Sequence, residues 1–255
     1  MLEERPILQV RGIRKRFGDR HALKGVSLEL YPQEVLGIVG GSGSGKTTLL
    51  RILHLEEEAE GEYFLNVPGL EGRNLLALDR YQVPEVRRWL AMVYQDPSRG
   101  LRMDFASLTS VVEPLILKGE RLYEALVAQG LEALELADFP LERAGSPPKE
   151  LSQGQRQRVQ IAKALAKKPL VILLDEPTTG LDLLVQATFL DTLRTLKRRL
   201  GLSMILVSHD LSVIRMVADR IVVLYEGEVV EEGLADQVLE DPQHPFTQEL
   251  VGAKL

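Results

Sequence analysis

Apolar and polar positions alternate along ILQVRGIRKRF and again along HALKGVSLELYPQE, a period of two that predicts a pair of half-buried strands joined by a turn at Gly18 and Asp19. Such a pair forms an antiparallel edge sheet. The next run, VLGIVG, is apolar without alternation and enters a glycine-rich loop, after which KTTLLRILHL has helical spacing and no breaker. This segment reads as strand, loop and helix. Beyond it the acidic LEEEAEGE predicts a solvated surface turn, and YFLNV a strand bounded by Gly61 and Pro68.

From Asp96 to Pro148 the pattern changes to leucine, alanine and glutamate at i, i+3 and i+4, as in LILKGERLYEALVAQGLEALELADF, and predicts an inserted helical lobe closing at Ser146-Pro147-Pro148. The helix LSQGQRQRVQIAKALAKKP follows with its ends spelled out. Ser152 and Gln155 make a capping box, Lys167 and Lys168 suit the negative end of the helix dipole, and Pro169 stops it. Then come the buried strand LVILLDE, the amphipathic helix LLVQATFLDTLRTLKRRL ended by Gly201, the buried strand SMILVSHD, and a hairpin about Glu226-Gly227. Continuous apolar strands alternating with helices predict a parallel α/β sheet.

A length of 255 residues fits one large domain, or one domain carrying a lobe. With 31 Lys+Arg against 37 Asp+Glu the net charge is −6, which gives no electrostatic footprint for nucleic acid. Cysteine is absent, which removes disulfides, thiol nucleophiles, iron–sulfur clusters and cysteine zinc sites, and fits a reducing compartment. No apolar run approaches the roughly 20 residues of a membrane helix, and the charged start MLEERPILQVRG does not have the pattern of a secretory signal.

The chemistry begins at GGSGSGKT, where Gly40, Gly41, Ser42, Gly43, Ser44, Gly45, Lys46 and Thr47 match G-x-x-x-x-G-K-[ST]. Such a loop wraps phosphate oxygens in backbone N–H groups at a helix N-terminus, with the lysine on the β and γ phosphates and the threonine on Mg²⁺. Asp175 and Glu176 end a buried strand, where the first suits a Mg²⁺ ligand through water and the second can polarise an attacking water. The same two acids also suit a plain strand-to-loop transition. His209, at the end of SMILVS, can reach a γ phosphate or serve as a satisfied polar residue. His21, His54 and His244 lack partners at metal-ligand spacing and read as structural or surface groups.

GGSGSGKT, Gln95, LSQGQ, LLDEP, the TGLD of residues 179–182 and His209 resemble, in order and spacing, the ATP-binding cassette family, and the resemblance spans essentially the whole chain. It implies an α/β P-loop NTPase: a RecA-like parallel core with an N-terminal antiparallel β subdomain over 1–95 and 156–255, and a helical signature subdomain over 96–155. It also implies a Mg²⁺-dependent ATPase. By the same resemblance Phe17 stacks on adenine, Thr48 joins the phosphate loop, and Gln95 contacts Mg²⁺ and water. Leu151, Ser152, Gln153, Gly154 and Gln155 form the signature that acts in trans, and Asp182 couples the two sites of a head-to-tail dimer with a second cassette of the same or a different chain. Gln153 stands where the commoner LSGGQ has glycine, a departure that leaves the serine and the closest glycine in place.

YQDPSRGLRM, VVEPLILKG and the tail VLEDPQHPFTQELV resemble the peptide and nickel importer ATPases, and the GLRM piece and the length also resemble the ATP-binding protein of the phosphonate carbon–phosphorus lyase system. Two partners follow: a membrane permease meeting the lobe after Gln95, or a soluble lyase complex. The first implies a cytoplasmic protein peripheral on the inner face of the cell membrane. A DNA-maintenance ATPase of this fold would need heptad arms and a basic face, which the sequence lacks.

Overall fold

The computed structural model describes residues 5–253; residues 1–4, where the charged N-terminal stretch begins, and 254–255 lie outside the described residues. Strands β1 (Leu8–Phe17) and β2 (Arg20–Leu30) pair antiparallel from Leu8 opposite Leu30 to Phe17 opposite Arg20, with the turn where the alternation places it. Leu8, Val10 and Ile13 face inward, and the polar positions between them do not. Strand β3 (Val35–Val39) leads through the glycine loop into helix α1 (Lys46–Leu53), and β4 (Glu60–Leu65) then completes the small sheet in the order β2-β1-β4.

The acidic run is not a solvated turn throughout, as its charge had suggested. Glu57 pairs with Lys15 at 3.1 Å, and Glu56 turns inward to His54 and Tyr94, because the fold brings hydrogen-bond donors to it from outside the run.

The chain continues through α2 (Val83–Arg87) and β5 (Leu90–Val93) to the helical lobe, α3 (Ser107–Leu117) and α4 (Tyr123–Leu136). Helix α5 (Gln153–Ala166) packs on both lobe helices and runs unbroken past residue 155 back to the core, where Lys167 Nζ donates to the Leu90 carbonyl of β5 at 2.8 Å. There follow β6 (Val171–Asp175), α6 (Leu183–Leu200), β7 (Ser203–Val207), α7 (Leu211–Val217), β8 (Arg220–Tyr225), β9 (Glu228–Leu234), α8 (Ala235–Glu240) and α9 (Pro245–Gly252).

The larger sheet has the order β5-β6-β7-β3-β8-β9, parallel up to β8 and antiparallel at β9. Its inner strands are buried on both faces. In β6, Ile172 and Leu174 join the core shared with α5, α6 and the lobe, while Val171 and Leu173 join the core shared with α1 and the small sheet. Helix α7 sits so close to β3 that a Cβ on Gly37 would lie 2.9 Å from Ile214. The β8–β9 hairpin turns at Glu226 and Gly227, both at positive φ, and latches two neighbours: Gly227 N–H donates to the Ser44 carbonyl at 3.1 Å, and Lys24 N–H donates to the Gly227 carbonyl at 2.9 Å. Among the described residues no helix is long and apolar enough to cross a membrane.

Phe189 of α6 is 1% exposed within the larger core, so Phe189→Ala should cost about 3–5 kcal/mol. Urea unfolding would show this as a lower midpoint at constant m. A loss below about 1 kcal/mol would contradict the burial of Phe189 in the core.

Candidate active site

The glycine loop folds as it does because its backbone must pass where side chains have no room. A Cβ on Gly40 would lie 2.1 Å from the Leu224 carbonyl oxygen, and one on Gly45, at φ +106, would lie 2.7 Å from the Ala22 carbonyl oxygen. Lys46 is buried and its Nζ donates to the Gly40 and Gly41 carbonyls at 2.9 and 2.8 Å. Burial lowers its pKa, opposed by the nearby Glu176 and Asp175. In front of the loop lies a cavity of about 600 Å³ that Phe17, Arg20, Lys46, Thr47, Gln95 and Glu176 border, together with Ser42, Gly43, Gly45 and Thr48. Phe17 is 47% exposed, with Lys15 Nζ 4.9 Å from the ring centre. Arg20, which the motif pattern does not mark, braces the loop by donating to the Gly43 carbonyl at 3.0 Å.

The two acids at the end of β6 have different surroundings. Asp175 is buried, which raises its pKa, and it accepts a hydrogen bond from Thr47 Oγ1 at 3.0 Å that acts the other way. A hydroxyl and a carboxylate side by side, facing a phosphate loop, form a hard-oxygen donor set of the kind that holds Mg²⁺ together with substrate phosphates. Among the described residues no group of three or more His, Asp and Glu forms an all-protein metal cage. Glu176 sits at φ +43, a sparsely populated conformation for a side-chain-bearing residue, held by its N–H to the Val207 carbonyl at 3.0 Å. Its Oε2 accepts from Thr179 Oγ1 at 3.0 Å and lies 2.5 Å from His209 Nδ1.

The backbone at Tyr94 and Gln95 is held from behind by two glutamines of α5. Gln160 both accepts from Tyr94 N–H at 3.0 Å and donates to the Tyr94 carbonyl at 2.9 Å, while Gln157 donates to the Gln95 carbonyl at 3.3 Å. Both glutamines are buried, and their signal in the sequence is two amides three apart on the inward face of an otherwise apolar helix stripe. On the outer side Tyr94 donates its hydroxyl to Glu56, which also accepts from His54 Nδ1 at 2.8 Å. Burial lowers the His54 pKa, opposed by its hydrogen bond to Glu56.

The remaining sequence-marked residues stand apart from this cavity. Ser152 caps α5 in the expected capping box, accepting from Gln155 N–H at 3.3 Å while Gln155 Oε1 accepts from Ser152 N–H at 3.0 Å; Ser152 and Gln153 are exposed, and Leu151 and Gly154 are buried. Asp182 caps α6, accepting from Leu184 and Val185 N–H at 3.1 and 3.0 Å. None of these borders the cavity in front of the glycine loop.

Residues 23–179 match the family described as ABC transporter. The chain is 40% identical to a protein of Escherichia coli (strain K12) named as a phosphonates utilization ATP-binding protein, PhnK, over 98% of both chains. It is 38% identical to a protein of Brucella ovis named as a peptide import ATP-binding protein, over 99% of this chain and 80% of the other. Among solved structures it is similar to the dimeric, post-hydrolysis ATP-binding cassette MJ0796 bound to ADP and Pi, at 33% identity and TM-score 0.80 over 89% of this chain and 98% of that one. It is likewise similar to cbiO1 of Clostridium perfringens, at 27% identity and TM-score 0.81 over 92% and 91%. The chain belongs to the ABC transporter family and is an ATPase domain of that family, with the α/β cassette fold and with ATP and Mg²⁺ as its ligands.

Burial would raise the Glu56 carboxyl, but the hydrogen bonds from His54 and Tyr94 outweigh it and hold the pKa down from 4.5 to about 2. A carboxyl depressed in this way adds stability that is fully present above about pH 4.5 and lost as the pH falls toward 2. Glu56→Gln should therefore flatten the acid side of the stability curve in that window. Urea unfolding at a series of pH values checks this: a loss of stability between pH 4.5 and 2 as steep in the variant as in the parent would refute this role for Glu56.

Proposed function

We propose that this chain is the ATP-hydrolysing subunit of an importer, working head to tail with a second cassette and driving solute movement through a membrane permease that meets the lobe after Gln95. The observation that carries this reading is a division of parts. The phosphate loop, the Thr47–Asp175 pair and Glu176 border or adjoin one cavity, while the capped helix start at Ser152 faces outward elsewhere, as a group meant for a partner's nucleotide would.

In this reading Phe17 offers its exposed ring to adenine, and Gly40 to Thr48 hold the phosphates with backbone N–H groups and Lys46. Thr47 and Asp175, with Gln95 nearby, would hold Mg²⁺, which when bound neutralises charge on the phosphates. Glu176 takes a proton from water as its oxygen bonds to the γ phosphorus and the bond to the bridging oxygen breaks. His209 holds Glu176 and reaches the γ phosphate. Ser152 and Gly154 of the partner close the site, and Asp182 couples the two sites. The assembly sits on the inner face of the cell membrane.

A second reading, an ATPase serving a soluble carbon–phosphorus lyase complex, is favoured by the phosphonates-utilization relative, which matches this chain over 98% of both lengths. Purification from the native host decides between them: a polytopic membrane protein in the complex supports the first reading and a soluble lyase the second.

Glu176→Gln should keep ATP binding and lower turnover by about 100-fold or more. Retained turnover would remove Glu176 as the base. Light scattering of the same variant at saturating ATP should show dimers, and monomers alone would count against head-to-tail pairing.

A further inference from the structure

Gln153 has a defined environment in this chain. Its Nε2 donates to the Thr179 carbonyl at 2.7 Å, and its amide lies on Gly180, where a Cβ would come within 2.9 Å of Nε2 and 3.1 Å of Oε1. One residue on, a Cβ at Gly154 would lie 2.7 Å from Val185 Cγ1. The start of α5 is therefore seated on the segment 179–185 of its own chain. Thr179 reaches the other way: its N–H donates to the Glu176 carbonyl at 3.2 Å and its Oγ1 to Glu176 Oε2 at 3.0 Å, the oxygen that also meets His209 Nδ1. Glu176 occupies a conformation that persists only when its neighbours over-determine it.

We propose that Gln153 is a positioning residue: through Thr179 it fixes the carboxylate of Glu176, and so links the capped helix, which serves the partner's nucleotide, to the base that serves this chain's own. The proposal rests on the head-to-tail reading and on Glu176 as base. Glycine at position 153 has no donor for the Thr179 carbonyl, so the link belongs to the glutamine. Its physical effect is that a displacement of the helix start moves Thr179, and a displacement of Thr179 moves the Glu176 carboxylate.

The test compares Gln153→Met, which keeps the side-chain bulk without the donor, with Gln153→Gly, Thr179→Val and the Gln153→Gly/Thr179→Val double variant, all in the full chain. One positioning hydrogen bond predicts a fall in kcat of about three- to ten-fold in both Gln153 variants with KM unchanged. The double variant should be no slower than Thr179→Val alone, because the two residues act in one chain of contacts. Hydrogen exchange at the Thr179 and Leu181 amides should quicken in both Gln153 variants without added nucleotide. Unchanged kcat in Gln153→Met overturns the proposal, as does an additive double variant. A raised KM at constant kcat also overturns it, placing Gln153 on the partner's nucleotide instead. Glu176→Gln is assayed alongside: if it keeps full turnover the base reading falls, and the exchange data alone then judge the link between Gln153 and Thr179.

Discussion

The inner strands of the larger sheet are apolar on both faces, and this constraint decides where the chemistry can stand. A strand with no wet face has no room along its length for an ion; charged and phosphate-binding groups must wait for its last residue or the loop beyond. Lys46 and Thr47 follow β3, Asp175 ends β6 with Glu176 just beyond it, and His209 follows β7. Because these strands are parallel neighbours in the order β6-β7-β3, their ends open on one edge. The Thr47–Asp175 hydrogen bond joins the two outer members of that trio.

Helix α5 is the second organising element. Its exposed start carries the capping box, its buried middle presents Gln157 and Gln160 to the backbone at Tyr94 and Gln95, and just beyond its end Lys167 donates to β5. The stretch from Leu90 to Gln95, more than 60 residues away along the chain, is thus tied at several points to one rigid rod. Buried amides with both partners present fix position more tightly than apolar packing of the same size would, since any shift leaves a polar group unpaired.

Much of this was legible in the sequence because it is written locally. The turn at Gly18-Asp19, the box of Ser152 and Gln155, the αL stop at Gly201 and the phosphate loop each depend on residues within a few positions of one another. What escaped was long-range. Glu56 looked like one more charge in an acidic run, yet its partner Tyr94 lies 38 positions away and arrives only when β5 joins the sheet. The bonds from Gln157 and Gln160 to the Gln95 segment, and from Gln153 to Thr179, likewise exist only where α5 packs against the core. No periodicity encodes them.

The hairpin at Gly227 bears on how the molecule comes apart. Its N–H holds the phosphate loop and its carbonyl holds β2, and a Cβ there would lie 2.8 Å from the Ala22 carbonyl oxygen. One glycine therefore stitches together the parallel sheet, the nucleotide loop and the small antiparallel sheet. Breaking that contact leaves backbone groups unpaired on three elements at once, so parting the small sheet from the core costs more than the pairing of its own strands.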